Sequence, residues 1–324
     1  MRASLDQILE KETVMVIDGS MSTALEHLGA DLKNDLWTAM TLVRQPELVR
    51  QVHIQYFRAG ADCGITCSYQ ATITGLMKHG FTLAEAEAAI SSSVQILLEA
   101  RESWWKEEGA ASGRAWPLCL AGIGPYGAYL ANGAEYRGNY GVDDQTLYNF
   151  HRRRMELLWN AGADLLLIET QPSLREALIE AAIAEELEAD YWISFSCRDR
   201  AHICEGDSIR DCAARLSEGH PHLRMLGVNC TRPEYVTELI RELRLGTRLP
   251  IGVYPNGGDL YDPVAKAWKR CDGGRDFGAW ALDYMKAGAS AVGGCCTTVD
   301  EHIRRVVKAR ETYLALGRPP MLQL

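Results

Sequence analysis

Positive charge, long apolar runs and linker-like composition are all scarce in this 324-residue chain, and each scarcity removes a class of function. Acidic residues outnumber basic ones by 43 to 34, for a net charge of −9. That balance argues against nucleic acid and anionic membranes as partners. Basic clusters do occur, such as Arg152-Arg153-Arg154, but they fall in helical stretches and read as solvated helix faces. No apolar stretch approaches the roughly 18 residues that a membrane span needs. The opening residues Met1-Arg2-Ala3-Ser4-Leu5-Asp6 show neither the apolar core nor the cleavage pattern of a signal peptide. A cytoplasmic protein is therefore expected, in a compartment where its ten cysteines stay reduced. Most of these, including Cys63, Cys119, Cys197 and Cys212, fall inside apolar patterns and read as packing residues. No Pro/Gly/Ser-rich or low-complexity tract divides the chain, so one domain over residues 1–324 is expected.

What the chain has in quantity is short apolar runs. They lie at 14–18, 62–67, 117–123, 164–170, 191–197, 225–230, 250–254 and 290–296. All are nearly continuous rather than alternating, as in strands buried on both faces of a parallel sheet. Helical spacing of apolar residues fills the gaps, at 46–58, 83–107, 144–160, 173–188, 209–216, 233–244, 277–286 and 300–313. Three echoes precede strands: Ala59-Gly60-Ala61-Asp62, Ala161-Gly162-Ala163-Asp164 and Ala287-Gly288-Ala289-Ser290. In each, glycine can adopt the left-handed conformation that ends a helix. Eight strand-then-helix units predict an α/β fold, a (β/α)8 TIM-type barrel, with a doubly wound open sheet as the alternative.

A barrel of this kind carries its site at the C-terminal strand ends. Reading those ends in order gives Asp18-Gly19-Ser20, Thr66-Cys67-Ser68-Tyr69-Gln70, Gly124-Pro125-Tyr126-Gly127, Glu169-Thr170, Asn229-Cys230, Tyr254-Pro255-Asn256 and Cys295-Cys296. Three thiols about 65 residues apart, in Gly227-Val228-Asn229-Cys230 and Gly293-Gly294-Cys295-Cys296, could be ordinary buried cysteines. They could equally be three ligands of one ion. Thiolates select zinc, copper(I) or iron–sulfur clusters. A cluster or a structural zinc asks for four ligands, commonly with a C-x-x-C knuckle, which is missing. Three ligands and one open position is the arrangement of a catalytic zinc. Cys295 and Cys296 reach one ion only if the strand ends or bulges, a freedom expected from Gly293-Gly294. Three thiolates make zinc a weak Lewis acid but a good holder of a substrate thiolate, which points to alkyl transfer onto sulfur.

Asp18-Gly19-Ser20, Gly227-Val228-Asn229-Cys230 and Gly293-Gly294-Cys295-Cys296 together resemble the homocysteine S-methyltransferases, over essentially the whole chain. The segments Ser68-Tyr69-Gln70-Ala71-Thr72, Gly124 to Leu130 and Glu135-Tyr136-Arg137-Gly138 are similar to the short bacterial and plant type that uses S-methylmethionine. The resemblance implies a barrel with one Zn2+ per chain on Cys230, Cys295 and Cys296, making methionine from homocysteine with S-methylmethionine or S-adenosylmethionine as donor. It places the substrate's ammonium on Asp18 and Glu169, its carboxylate near Gly19 and Ser20, and Thr66, Ser68 and Asn229 around it. A cationic donor recruits aromatic faces, and Trp37, Tyr69, Tyr126 and Tyr129 are the candidates. Thr170 stands where betaine-dependent relatives carry an aromatic, and no Asp-x-His-x-x-Gly cobalamin pattern occurs. The long C-terminal extension through which betaine-type relatives assemble is also missing, so a monomer or weak homodimer is expected. Competing readings are a homocysteine or selenocysteine methyltransferase that prefers S-adenosylmethionine, a zinc- or thiol-binding barrel without turnover, and a barrel hydrolase with incidental cysteines.

Overall fold

The computed structural model describes residues 4–32, 36–258, 260–262, 267–269 and 275–317. Eight strands run parallel: β1 (Met15–Val16), β2 (Cys63–Ile65), β3 (Leu118–Ile123), β4 (Leu165–Gln171), β5 (Tyr191–Phe195), β6 (Leu223–Asn229), β7 (Ile251–Tyr254) and β8 (Ala291–Val292). Their ladder order is β1-β8-β7-β6-β5-β4-β3-β2, every pair parallel, so the sheet curls until its first and second strands face each other. This is the nearly closed barrel that the repeat predicted, not the open sheet.

Carboxylates stitch the seam between β1 and β2. The Asp62 amide donates to Val16 O at 2.7 Å, and Asp62 Oδ2 accepts from the Val16 amide at 2.8 Å. One step along, Asp18 Oδ2 accepts from the Ile65 amide at 2.8 Å. Arg310, on the last helix, donates to Asp62 Oδ2 at 2.6 Å and to Val14 O at 3.1 Å. Side chains thus replace the missing ladder and tie the chain's final helix to its first strand.

Residues alternate along each strand between two cores. Met15, Ile17, Leu118, Leu120, Leu165, Leu167, Trp192, Met225 and Tyr254 fill the barrel, with Leu5 and Ile8 of the helix Leu5–Glu12 joining the same cluster. The alternate set, including Val16, Cys119, Ala121, Leu166, Ile168, Ile193 and Val228, packs outward against the helices. Cys63, Cys119, Cys197 and Cys212 are all buried, as expected of packing residues.

The helices start where side chains can take up their free amides. Thr82 and Glu85 form a capping box for Leu83–Glu107, while Asp143, Ser173 and Ser208 cap Asp144–Asn160, Leu174–Glu186 and Ile209–Leu216. They stop at the predicted echo: Gly60, Gly162 and Gly288 have φ of 107°, 104° and 106°. The tight bonds that follow, such as Ala61 N to Tyr56 O and Ala289 N to Tyr284 O at 3.0 Å, turn the chain into the next strand.

Two expectations are corrected. The runs at 14–18 and 290–296 contain only two strand residues each. Past Val292 the backbone alternates partners, with Gly293 N on Val253 O, Gly294 N on Asp18 O and Cys295 N on Pro255 O. That pattern keeps the segment bonded but breaks the ladder. The glycines there provide room rather than unusual dihedrals. A Cβ on Gly293 would meet Ile17 at 2.5 Å and one on Gly294 would meet Thr298 at 2.4 Å, while neither has positive φ. Separately, Arg152-Arg153-Arg154 is not wholly a solvated face. Arg153 is half exposed and pairs with Glu87 and Glu156, whereas Arg154 is 1% exposed, because 100° per residue turns it inward beside His151. Among the described residues, no helix is long and apolar enough to cross a membrane.

Candidate metal and substrate site

The loops after β6 and β8 bring three sulfurs together. The Sγ atoms of Cys230, Cys295 and Cys296 all lie within 4.8 Å of one another, with Cys230 and Cys296 3.5 Å apart. Tetrahedral zinc with Zn–S near 2.3 Å needs sulfurs about 3.8 Å apart. The donor set and its spacing therefore fit a zinc ion. The Cys295 thiol is pushed well up, chiefly by its hydrogen bond to Cys230, with the bond to Cys296 opposing and burial adding.

Local backbone forces this convergence. Cys230 has φ of 47° and Thr297 φ of 64°, left-handed values that cost a non-glycine residue on the order of 1 kcal/mol or more. Thr298 locks the second loop, donating to Cys295 O at 2.6 Å while accepting from the Ser20 amide at 3.3 Å. The Tyr56 hydroxyl reinforces it, donating to Ser20 O at 2.8 Å. The thiol loop and the Asp18-Gly19-Ser20 loop are thereby one rigid unit. At the expected cradle, the Ser20 amide donates to Thr298 Oγ1 and the Ser20 hydroxyl caps the helix Met21–His27.

Asp18 and Glu169 face the same space. Asp18 is 2% exposed; one carboxylate oxygen takes the Ile65 amide, and Oδ1 is buried with no partner. Burial pushes its carboxyl well up, the Ile65 bond opposes that, and the charge of Glu169 adds to it. Glu169 is raised to about 7 by burial, against the pull of the Tyr254 hydroxyl, 3.3 Å from Oε2, and of Arg154. Two buried acids short of cations are a site poised for a positively charged group. The β4 register shifts between Ile168 and Gln171, which projects Glu169 there, and Thr170 takes φ of 58°.

Thr66 and Ser68 are brought close but are used internally. Ser68 Oγ donates to Gly122 O and contacts Thr66 Oγ1, both at 2.6 Å, and Thr66 Oγ1 accepts from the Gly122 amide at 3.0 Å. Both hydroxyl protons are spent along this chain, so neither residue has one for a substrate carboxylate. Asn229 Nδ2 lies 4.0 Å from Cys295 Sγ.

Of the expected aromatics, the half-buried Tyr69 has its hydroxyl pushed well up, chiefly by burial, with the charges of Glu135, Cys230 and Glu169 adding and a hydrogen bond to Thr170 opposing. Tyr126 and Tyr129 pack on each other at 5.5 Å and on Phe150, and the Lys78 ammonium already sits 4.5 Å over the Tyr129 ring. Trp37 is half-buried, with φ of 48° at the start of the helix Thr38–Arg44.

Sequence reasoning assigned no role to Tyr136, whose hydroxyl lies 2.9 Å from Cys230 Sγ. It also missed a buried cluster behind Glu169. His151 has Nε2 2.9 Å from Glu176 and Nδ1 3.0 Å from Glu180, all three fully buried. Arg154 completes the cluster, pushed down to about 10 by burial although Glu180 and Glu176 oppose the shift. One ring nitrogen of His151 and one oxygen each of Glu176 and Glu180 lie within 4.8 Å of one another. The signal lay in helical spacing: His151 and Arg154 share a face, as do Glu176 and Glu180.

Known proteins are similar to this chain over nearly its whole length. The family model described as homocysteine S-methyltransferase matches residues 15–310. Homocysteine S-methyltransferase YbgG of Bacillus subtilis is 45% identical, covering 93% of this chain and 96% of its own length. Homocysteine S-methyltransferase 1 of Zea mays is 44% identical, over 90% and 93%. In structure, the metallated form of the homocysteine methyltransferase MmuM from Escherichia coli superposes with a TM-score of 0.84 at 39% identity, over 93% of this chain and 98% of that one.

Proposed function

The chain belongs to the homocysteine S-methyltransferase family, and from that premise we propose that it methylates homocysteine with S-methylmethionine at a zinc site formed by Cys230, Cys295 and Cys296. The observation that carries this reading is the meeting of three sulfurs within 4.8 Å from loops some 65 residues apart. Zinc bound there would supply a fourth position that holds the substrate sulfur as a thiolate at neutral pH.

The chain's own residues do the rest. Asp18 Oδ1 and Glu169 receive the substrate's ammonium, which supplies the positive charge that both buried acids lack. The Gly19 amide is left for the substrate carboxylate, since that of Ser20 is committed to Thr298. Thr66 and Ser68 stiffen the rim and reach the ammonium only as acceptors. Asn229 sets the loop that carries Cys230. Tyr69 faces the incoming sulfonium, with Trp37, Tyr126 and Tyr129 further out on the donor side. Held in line and away from water, the substrate sulfur takes the methyl carbon while the donor sulfur leaves with the bonding pair as methionine. S-adenosylmethionine serves as a lesser donor. The chain works in the cytoplasm as a monomer or weak homodimer, without nucleic acid or membrane.

The test compares methionine formation from homocysteine with S-methylmethionine, S-adenosylmethionine and betaine in zinc-replete, reducing buffer. S-methylmethionine should turn over fastest. Faster turnover with betaine would contradict the donor assignment, and no methionine from any donor would contradict the acceptor.

A further inference from the structure

Methyl transfer at a three-cysteine site has a hazard built into it. With zinc and homocysteine bound, four sulfurs would share one ion, and an electrophilic methyl group could be taken by any of them. Only transfer to homocysteine is productive; a methylated cysteine is a permanently lost ligand. We infer that Tyr136 guards Cys230 against self-methylation, by donating a hydrogen bond that ties up a lone pair on its sulfur.

The geometry carries this assignment. The Tyr136 hydroxyl lies 2.9 Å from Cys230 Sγ. Its ring is held by a short turn, Ala134–Tyr136, closed by Gly138 N on Ala134 O at 2.9 Å. That turn is anchored on both flanks: the Ser196 hydroxyl donates to Glu135 O at 3.1 Å, and Glu205 Oε1 accepts from the Asn139 amide at 2.7 Å. The hydroxyl is therefore placed by its scaffold rather than swinging freely. A sulfur that accepts a hydrogen bond must weaken it before attacking carbon, and hydrogen bonds to charged groups are among the strongest in proteins.

The side reaction being suppressed is a plain displacement. Cys230 Sγ forms a bond to the methyl carbon, the carbon–sulfonium bond breaks, and the donor sulfur departs with the electron pair as a neutral thioether. No other reactant is needed.

This inference rests on the zinc reading above, and the experiment separates the two. Zinc-loaded full-length protein and the Tyr136→Phe variant are incubated with S-methylmethionine without homocysteine, and in parallel with iodoacetamide as a small neutral alkylator. Zinc per chain is determined first, and modification at each cysteine is then followed by peptide mass spectrometry. Tyr136→Phe should keep its zinc and be modified at Cys230 on the order of ten-fold faster, with Cys295 and Cys296 changed by less than about two-fold. Equal Cys230 rates in the two zinc-loaded proteins would overturn the guard. Absence of zinc from the wild-type protein would overturn the function instead.

Discussion

Asn229 and Thr170 exchange two hydrogen bonds across the barrel mouth: the Thr170 amide donates to Asn229 Oδ1 at 2.8 Å, and Asn229 Nδ2 donates to Thr170 Oγ1 at 2.7 Å. Thr170 follows Glu169 and Asn229 precedes Cys230, so this pair links the acid proposed to receive the substrate's ammonium to a thiol of the candidate metal site. Both Thr170 and Cys230 sit at positive φ, 58° and 47°. Such backbone persists only where its surroundings over-determine it, and the reciprocal pair does that on both sides.

Removing one half of the pair should therefore loosen both functions. Asn229→Ala leaves the Thr170 amide buried without its acceptor, which costs about 1–3 kcal/mol. The expected result is a lower denaturation midpoint together with faster loss of zinc to a chelator. Unchanged zinc release in a destabilised Asn229→Ala protein would show that the pair supports the fold but not the thiol loop.

Glu169 makes stability depend on pH in a definite direction. Its folded pKa of about 7 lies above the ordinary 4.5 because it is buried. Between those values the unfolded chain has released the proton and the folded chain still holds it. Stability contributed by this group is full below about pH 4.5 and declines as pH rises through 7, by about 3 kcal/mol in all. In the substrate-free protein, Glu169→Gln should be nearly neutral at pH 4.5 and more stable than wild type at pH 8, while its KM for homocysteine rises at least about ten-fold. Denaturant titrations showing the same difference at both pH values would rule this out.

Arg154 is the buried cation among Glu169, Glu176 and Glu180. Replacing it with methionine removes the charge that offsets those acids and the hydrogen bond to Gly124 O, which should cost about 1–3 kcal/mol. Adding Glu180→Gln to Arg154→Met should restore part of that loss, because Glu180 is already pushed well up by burial and by Glu176. Strictly additive effects in the double-mutant cycle would mean that the two residues do not interact.

Much of this was legible in the sequence, for identifiable reasons. Continuous apolar runs and the Ala-Gly echo encode buried parallel strands and left-handed helix ends, and φ values within a few degrees at Gly60, Gly162 and Gly288 bear that out. Cys230, Cys295 and Cys296 could be singled out because chemistry-bearing residues at strand ends converge in a barrel. What escaped were relationships between elements. Thr170, Cys230 and Thr297 adopt left-handed backbone without glycine, so no residue type marks the bend. Thr298 bonds to Ser20 across 278 positions, and Tyr136 reaches Cys230 from a turn with no periodic pattern. Arg154 was hidden in an arginine run whose middle member is solvated. The helix Leu5–Glu12 is too short to display a repeat, although its Leu5 and Ile8 belong to the barrel interior.

The most direct test of the whole account is zinc add-back. Protein stripped of metal under reducing conditions is titrated with zinc while methionine formation from homocysteine and S-methylmethionine is followed, alongside Cys230→Ala. Activity should climb in proportion to bound zinc and level off at one ion per chain, with Cys230→Ala retaining neither metal nor turnover. Full turnover in the stripped protein, or a complete zinc complement in Cys230→Ala, would contradict the claim that these three cysteines build the reacting centre.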